Sequence, residues 1–500
     1  MKHPYLVLAA IVLAVCGQII FFKFTYLDDY TLIVQNGAVL GNASNLSKAF
    51  SEDFMKVVSG GYYYRPLATL SFMLNSVTTG QNPLFFRAAD VLLHLLTVIV
   101  LYKLLISLTG KQAPAFLGAL FFAIHPVVLQ TIAWIPARND TMAALFTLIA
   151  VYAFHKAWKT ENIGWYFAHF TAMTLALLSK ELGTVIPVIC SALLFLVIRR
   201  FDKKKIAVFL AGWAALVVCW YFLRASFINE SGQSLAEMLY SALSSFHAMM
   251  VYFGKIILPF NLSTHPVFAD INIGYPMAAA AVFVLSFVFW GKKEWRLMAF
   301  GIFWFVVFLI PSLIRPNPGI DPELLEHRVY LPMIGIVIVL AELAIPRYLA
   351  IGAISIFALV NLTHARSYKD GLSYWSQAAS SAPHSATAHR QLGVMQYLAG
   401  DTESAENEYQ KAIALDFQQP IVHTNLGLLY QQQGKLKAAE VEFLSEIAVN
   451  PKYDQSYFNL GNLYYQQGEL VKARLHWLKA LEINPHNSAA QYNLNLTKRN

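Results

Sequence analysis

Residues 5–30 read YLVLAAIVLAVCGQIIFFKFTYLDDY. The run Tyr5–Phe22 carries no charge and approaches the ~20 apolar residues a membrane-spanning helix needs. No small-x-small cleavage site precedes Phe21-Phe22-Lys23, so the run reads as a retained first span rather than a cleaved leader. The pair Asp28-Asp29 follows it directly, where the chain leaves the apolar phase.

The rest of the chain repeats the first half of that pattern. Of 500 residues, 57% are hydrophobic and 13% charged, about half the charge of a soluble domain. With 14% aromatic residues the chain cannot be disordered. Cys16, Cys190 and Cys219 lie in apolar runs and form no CxxC, which excludes a disulfide scaffold or a zinc site. Spans are predicted at Tyr5–Phe22, Phe86–Ser107, Ala113–His125, Met142–Ala157, Tyr166–Leu178, Thr184–Ile198, Ile206–Leu223, Gly274–Trp290, Leu297–Ile314, Val329–Leu343 and Tyr348–Leu362. That makes an all-α, polytopic membrane helix bundle of about 11 spans. Leu235–Phe260 is apolar but interrupted by Ser244, Ser245, His247, Lys255 and Pro259, and reads as an interfacial or re-entrant helix.

Charge sets the orientation. The net +8 resides before Arg366, because the remainder carries 12 Lys+Arg and 12 Asp+Glu. Arg199, Arg200, Lys203, Lys204 and Lys205 crowd one short loop, Lys292, Lys293 and Arg296 another, Lys156 and Lys159 a third. These loops read as cytoplasmic. The N-terminus is then cytoplasmic too, and an odd number of spans puts the C-terminal part outside. No basic stripe with interleaved aromatics suggests nucleic acid.

That C-terminal part repeats every 34 residues. Leu392-Gly393, Leu426-Gly427 and Leu460-Gly461 keep the period, as do Gly400, Gly434 and Gly468, and Ala405, Ala439 and Ala473. So do Tyr409, Phe443 and Trp477, and Pro451 and Pro485. The pattern resembles the tetratricopeptide repeat (TPR): about three full repeats with a half-repeat at each end, an α-solenoid of helix pairs. Such a solenoid presents a surface to a peptide or partner, or serves as a spacer.

On the external side stand charges that topology alone disfavours. Arg65 lies in Tyr62-Tyr63-Tyr64-Arg65-Pro66-Leu67, His125 before Pro126, and Arg138 in Ala137-Arg138-Asn139-Asp140. Lys180 lies in Ser179-Lys180-Glu181, and Arg328 in Glu326-His327-Arg328-Val329-Tyr330-Leu331-Pro332. Local pairing, Arg138 with Asp140 or Lys180 with Glu181, is one account. Four cations beside an acidic pair also suit an anionic, lipid-linked substrate: Arg and Lys bind phosphate, and a carboxylate takes the proton of an acceptor hydroxyl.

This ordered set, with the TPRs behind it, resembles the GT-C-type membrane glycosyltransferases, in particular the transmembrane-and-TPR O-mannosyltransferases and their bacterial relatives. The resemblance implies residues 1–363 as a GT-C-like domain, with its first external loop at 24–85, and 364–500 as an extracytoplasmic TPR domain. It implies a polyprenyl-phosphate-linked sugar such as mannose as donor, a protein or glycan hydroxyl as acceptor, and no cofactor or metal. It makes Asp28 or Asp29 the base, Asp28 favoured. Arg65, Arg138, Lys180 and Arg328 become donor-phosphate candidates, with His125, Asp140, Glu181 and Glu326 around them. The end Thr497-Lys498-Arg499-Asn500 holds no endoplasmic-reticulum retention signal, which points to a bacterial inner membrane with periplasmic TPRs. In a eukaryote the place would be the endoplasmic-reticulum membrane. Two other readings are an O-antigen-ligase-like oligosaccharide transferase and a membrane-tethered TPR scaffold for envelope assembly. A transporter is disfavoured because no acidic residue is expected deep in a span.

Overall fold

The structure, a computed structural model, describes residues 3–52, 63–160, 162–227, 236–237, 240, 243, 247–270, 272, 274–290, 294–314 and 324–497. Tyr62, Lys292, Lys293, Lys498, Arg499, Asn500 and much of 235–246 lie outside these. The chain divides into two units, Met1–Tyr374 and Trp375–Asn500.

The first unit is helical, with α1 (Pro4–Cys16), α2 (Pro66–Thr79), α3 (Pro83–Thr109), α4 (Gln112–Ile124), α5 (Leu129–Ala133), α6 (Arg138–Lys159) and α7 (Ile163–Ser179). There follow α8 (Ile186–Leu193), α9 (Lys203–Ala225), α10 (His247–Ile257), α11 (Gly274–Trp290), α12 (Trp295–Leu313), α13 (Tyr330–Glu342) and α14 (Arg347–Ala365). All eleven predicted spans fall on helix. Among the described residues, seven helical stretches are long and apolar enough to cross a membrane, or up to eight if the bent pair Gln112–Ile124 and Pro126–Ala133 counts as one. α7 and α11 are apolar but shorter, and α13 has 13 residues. The count of eleven counted apolar segments, whereas a crossing also requires length. α10 is an 11-residue helix, and its Gly254 lies against the backbone of Pro276.

Lipid is the solvent these helices are built for. Val208, Leu210, Val218 and Phe222 of α9 are exposed, as are Leu6, Leu92, Phe195, Val288 and Leu359 elsewhere. Apolar side chains on all sides of a helix that satisfies its own backbone are stable only in hydrocarbon. Inside, small residues let helices touch. A Cβ on Gly335 would meet the carbonyl oxygen of Gly301 at 2.2 Å, and one on Gly301 that of Gly335 at 2.5 Å. α12 and α13 therefore cross backbone to backbone, the close approach that replaces hydrophobic driving force in a membrane.

The first unit runs past the expected boundary at 363. Residues after α14 stay on it: Lys23 N–H donates to the Lys369 carbonyl at 2.8 Å, and Tyr374 Oη to that of Thr264 at 2.7 Å. The second unit begins within α15 (Gly371–Ser381) and continues with the pairs α16/α17 (Ala386–Leu398, Thr402–Leu415), α18/α19 (Val422–Gln432, Leu436–Val449) and α20/α21 (Asp454–Gln466, Leu470–Ile483). α22 (Ser488–Leu496) closes the array. Here the 34-residue period has a steric cause. A Cβ at Gly393, Gly427 or Gly461 would come within 2.7 Å of the rings of Tyr409, Phe443 and Trp477. Gly400, Gly434 and Gly468 take φ of +86°, +75° and +81° to end the first helix of each pair.

Candidate active site

The acidic pair splits into two environments. Asp29 is fully buried. Its Oδ2 accepts from Thr25 N–H at 2.7 Å and Thr25 Oγ1 at 3.0 Å, and its Oδ1 caps the helical turn at Tyr30–Gln35 through Tyr30 N–H at 3.0 Å. Burial raises its pKa above the ordinary carboxylate value, opposed by the Thr25 N–H and the Arg87 charge. Asp28 is half-buried. One neighbour shapes the turn and the other is more open to it.

Arg87, which the sequence reading passed over, anchors this turn. It is fully buried on α3, and its guanidinium donates to the carbonyls of Phe22, Lys23 and Ala133. The segment leading into Asp28 is thereby tied to the bend between α5 and α6. Arg87, Asp90, His94 and Thr97 are all buried on α3 at helical spacing. That polar stripe within an apolar run was the available signal; Asp90 lies near the N-terminal end of α3 rather than deep in it.

The external cations pair with carboxylates distant in sequence. Arg138 Nε meets Asp90 Oδ1 at 2.5 Å, both side chains at most 1% exposed. Its other nitrogens donate to Asn75 Oδ1 at 2.7 Å and the Phe86 carbonyl at 2.8 Å. Arg65 grips Glu181 through two bonds, Nη2 to Oε1 at 2.7 Å and Nε to Oε2 at 3.3 Å, and its guanidinium lies over the Tyr63 ring. Lys180 Nζ bonds Asp140 Oδ1 at 2.6 Å. Glu326 is buried against Lys255 of α10, 2.7 Å away, and accepts from Ser263 N–H at 3.1 Å. The local pairs Arg138–Asp140 and Lys180–Glu181 are thus replaced by pairs between helices.

These contacts sort the candidates. Arg138 and Glu326 are enclosed with their partners. His125 is fully buried with both ring nitrogens engaged: Nε2 lies 2.8 Å from the Ile256 carbonyl, and Nδ1 accepts from Val127 N–H. Arg65 and Lys180 are less completely enclosed, their side chains 9% and 12% exposed, and Arg328 is half-buried. Burial, then the charges of Lys180, Arg328 and Arg65, push the His327 imidazole well below its usual pKa. It is therefore neutral at neutral pH. The Trp134 ring packs against it at 4.9 Å. His327 and Trp134 are two further residues that the sequence reading did not select. Among the described residues no three His, Cys, Asp or Glu side chains gather as metal ligands.

Residues 67–223 match the family described as dolichyl-phosphate-mannose-protein mannosyltransferase. Residues 395–434 and 455–487 match tetratricopeptide repeats. The human protein O-mannosyl-transferase TMTC1 is 33% identical over 162 residues, which is 31% of this chain and 18% of that protein. The protein O-mannosyl-transferase F38B6.6 of Caenorhabditis elegans is 26% identical over 425 residues, 78% of this chain and 59% of the relative. The alignments thus span less than a fifth of the human protein and under two thirds of the nematode one. Among solved structures, ArnT from Cupriavidus metallidurans bound to undecaprenyl phosphate aligns with a TM-score of 0.41 at 15% identity, over 91% of this chain and 81% of that one. The chain joins a stretch matching the dolichyl-phosphate-mannose-protein mannosyltransferase family to tetratricopeptide repeats, and over the aligned regions it is homologous to the TMTC protein O-mannosyl-transferases.

Proposed function

We propose that this chain is a membrane glycosyltransferase that moves a sugar, with mannose the first candidate, from a polyprenyl-phosphate donor to a hydroxyl of a protein or glycan. The observation that carries the reading is that Arg65 and Lys180, from separate segments, are each held by a carboxylate, Glu181 at 2.7 Å and Asp140 at 2.6 Å, in a chain homologous over the aligned regions to protein O-mannosyl-transferases. Three cations drawn from separate segments suit a phosphodiester that gains negative charge as its sugar departs.

In the reaction, the acceptor oxygen attacks C1 of the sugar as its proton passes to the Asp28 carboxylate. The C1–O bond to phosphate breaks, and its electron pair stays on the polyprenyl phosphate. Arg65, Lys180 and Arg328 meet that added charge, while Glu181 and Asp140 hold the first two in place. Asp29, Arg87, Arg138 and Glu326 position the turn and the helices. No step calls on a metal. The site would face the periplasm, or the lumen of the endoplasmic reticulum in a eukaryote, with the N-terminus cytoplasmic as the basic loops indicate. The TPR unit would recruit the acceptor.

The test is transfer in liposomes carrying polyprenyl-phosphate mannose, with cell-envelope protein as acceptor and EDTA in a parallel arm. Wild type should transfer label with or without EDTA. Asp28→Asn should lose about 10²–10⁴-fold in rate at unchanged stability, the range of one general base. Full activity in Asp28→Asn would refute the assignment of the base, and no transfer from any lipid-linked sugar would refute the enzyme reading.

A further inference from the structure

Two buried polar atoms, one of them on the residue that precedes Arg328, are used by nothing in the proposed chemistry. Trp134 is 8% exposed and His327 9% exposed. Neither Trp134 Nε1 nor His327 Nδ1 has a hydrogen-bond partner among the described residues. The rings pack at a centroid distance of 4.9 Å and an angle of 50°. The main chain of His327 is held independently, its N–H donating to Gln130 Oε1 at 2.9 Å, while Gln130 Nε2 donates to the Thr264 carbonyl at 2.9 Å. Flanking Trp134 in the chain, Thr131 Oγ1 and Asn139 Oδ1 are also buried without a partner among the described residues.

Buried polar groups are nearly always hydrogen-bonded in native proteins, so several unsatisfied ones in a single stretch require an explanation. A donor on an indole, a nitrogen on a neutral imidazole and two oxygens match what a ring bearing several hydroxyls presents, since each hydroxyl both donates and accepts. His327 adjoins Arg328 in the chain, and in a phosphate-linked donor the sugar carbon lies one bond from the phosphorus-bound oxygen, so a sugar subsite belongs next to a phosphate-binding cation. Burial, with the charges of Lys180, Arg328 and Arg65, disfavours the protonated form of His327, which suits a hydroxyl partner better than a second anion.

We propose that Trp134 and His327 form the subsite that recognises the hydroxyls of the donor sugar and so determine which lipid-linked hexose is used. The inference rests on the glycosyltransferase reading and deepens it. Trp134 Nε1 donates to one ring hydroxyl, and His327 Nδ1 pairs with another. Arg65, Lys180 and Arg328 hold the phosphate whatever the sugar.

The experiment measures binding of the full-length chain in nanodiscs to bare undecaprenyl phosphate and to the same lipid carrying mannose, glucose, galactose or N-acetylglucosamine. Wild type should bind one conjugate more tightly than the bare lipid. Trp134→Phe keeps the ring and removes the donor; His327→Phe removes both ring nitrogens. Each should lose about tenfold in affinity for the preferred conjugate, the worth of one hydrogen bond, with bare-lipid binding unchanged. Deoxy forms of the preferred sugar add an arm read on wild type: one should bind wild type more weakly yet bind Trp134→Phe no worse than the parent sugar. Retained preference in both variants would overturn the subsite while leaving the glycosyltransferase reading intact. Equal binding of every conjugate and the bare lipid by wild type would overturn the subsite alone. Failure of wild type to bind any of these lipids would overturn both.

Discussion

Replacing Arg138 separates two roles for the same residue, donor-phosphate ligand and buried strut. Its guanidinium is 1% exposed and bonded on three sides, to Asp90, Asn75 and the Phe86 carbonyl. Arg138→Met leaves the Asp90 carboxylate buried without its partner, with Asp90 Oδ2 already lacking a partner among the described residues. Breaking one side of a buried pair costs about 3–5 kcal/mol. The combined Asp90→Leu, Arg138→Met variant removes both charges and should recover most of that loss, because the desolvation of two ions disappears with them. Arg65→Met is the control. Its partner Glu181 is 39% exposed, so solvent screens the loss to about 1 kcal/mol or less, while transfer should fall steeply. Equilibrium unfolding in detergent, read by tryptophan fluorescence, gives the stabilities, and liposome transfer gives the rates. A stable Arg138→Met protein with transfer selectively abolished would refute the strut and restore the donor-ligand role.

Other substitutions test the remaining assignments. Asp29→Asn places an amide nitrogen against a backbone N–H on one side or the other, so it should destabilise by about 1–3 kcal/mol. Its transfer rate per folded molecule should stay near wild type, the reverse of Asp28→Asn, as activity normalised to folded protein would reveal. Gly335→Ala puts a methyl 2.2 Å from the Gly301 carbonyl oxygen and should cost about 1–3 kcal/mol as the α12–α13 crossing opens, read by the same unfolding assay. In the TPR unit, His423 Nδ1 lies 2.7 Å from Glu442 Oε2. Burial lowers the His423 pKa, but the Glu442 contact, the Phe417 carbonyl and the Glu446 charge together outweigh it and the net shift is upward. A folded value above the unfolded one means this stabilisation is complete below about pH 6.5 and fades as pH rises through the folded value. Unfolding followed from about pH 5.5 to about pH 8.5 should show that decline in wild type, and His423→Asn should flatten it.

Legibility differed between the two units for a physical reason. In the TPR unit the Gly–aromatic contact recurs at a fixed sequence distance, so Gly427 and Phe443 announce themselves through their copies at Gly393 and Tyr409. In the membrane unit the apolar runs revealed where helices lie, because hydrocarbon demands them. The same runs concealed which faces meet. Arg87 and Asp90 sat within a predicted span and were counted as part of it. Arg138 read as a phosphate ligand because its partner lies 48 residues away in sequence.

By itself, the sequence determined the all-helical membrane class, the solenoid and the acidic turn after the first span. Each follows from composition or from spacing along one chain. Only the tertiary structure decided which of Asp28 and Asp29 is enclosed. It also decided which carboxylate answers Arg65, Arg138 and Lys180, and that Trp134 and His327 pack together. Those outcomes depend on segments distant in sequence, and on burial, which converts a charge from a solvated group into one that must find a partner.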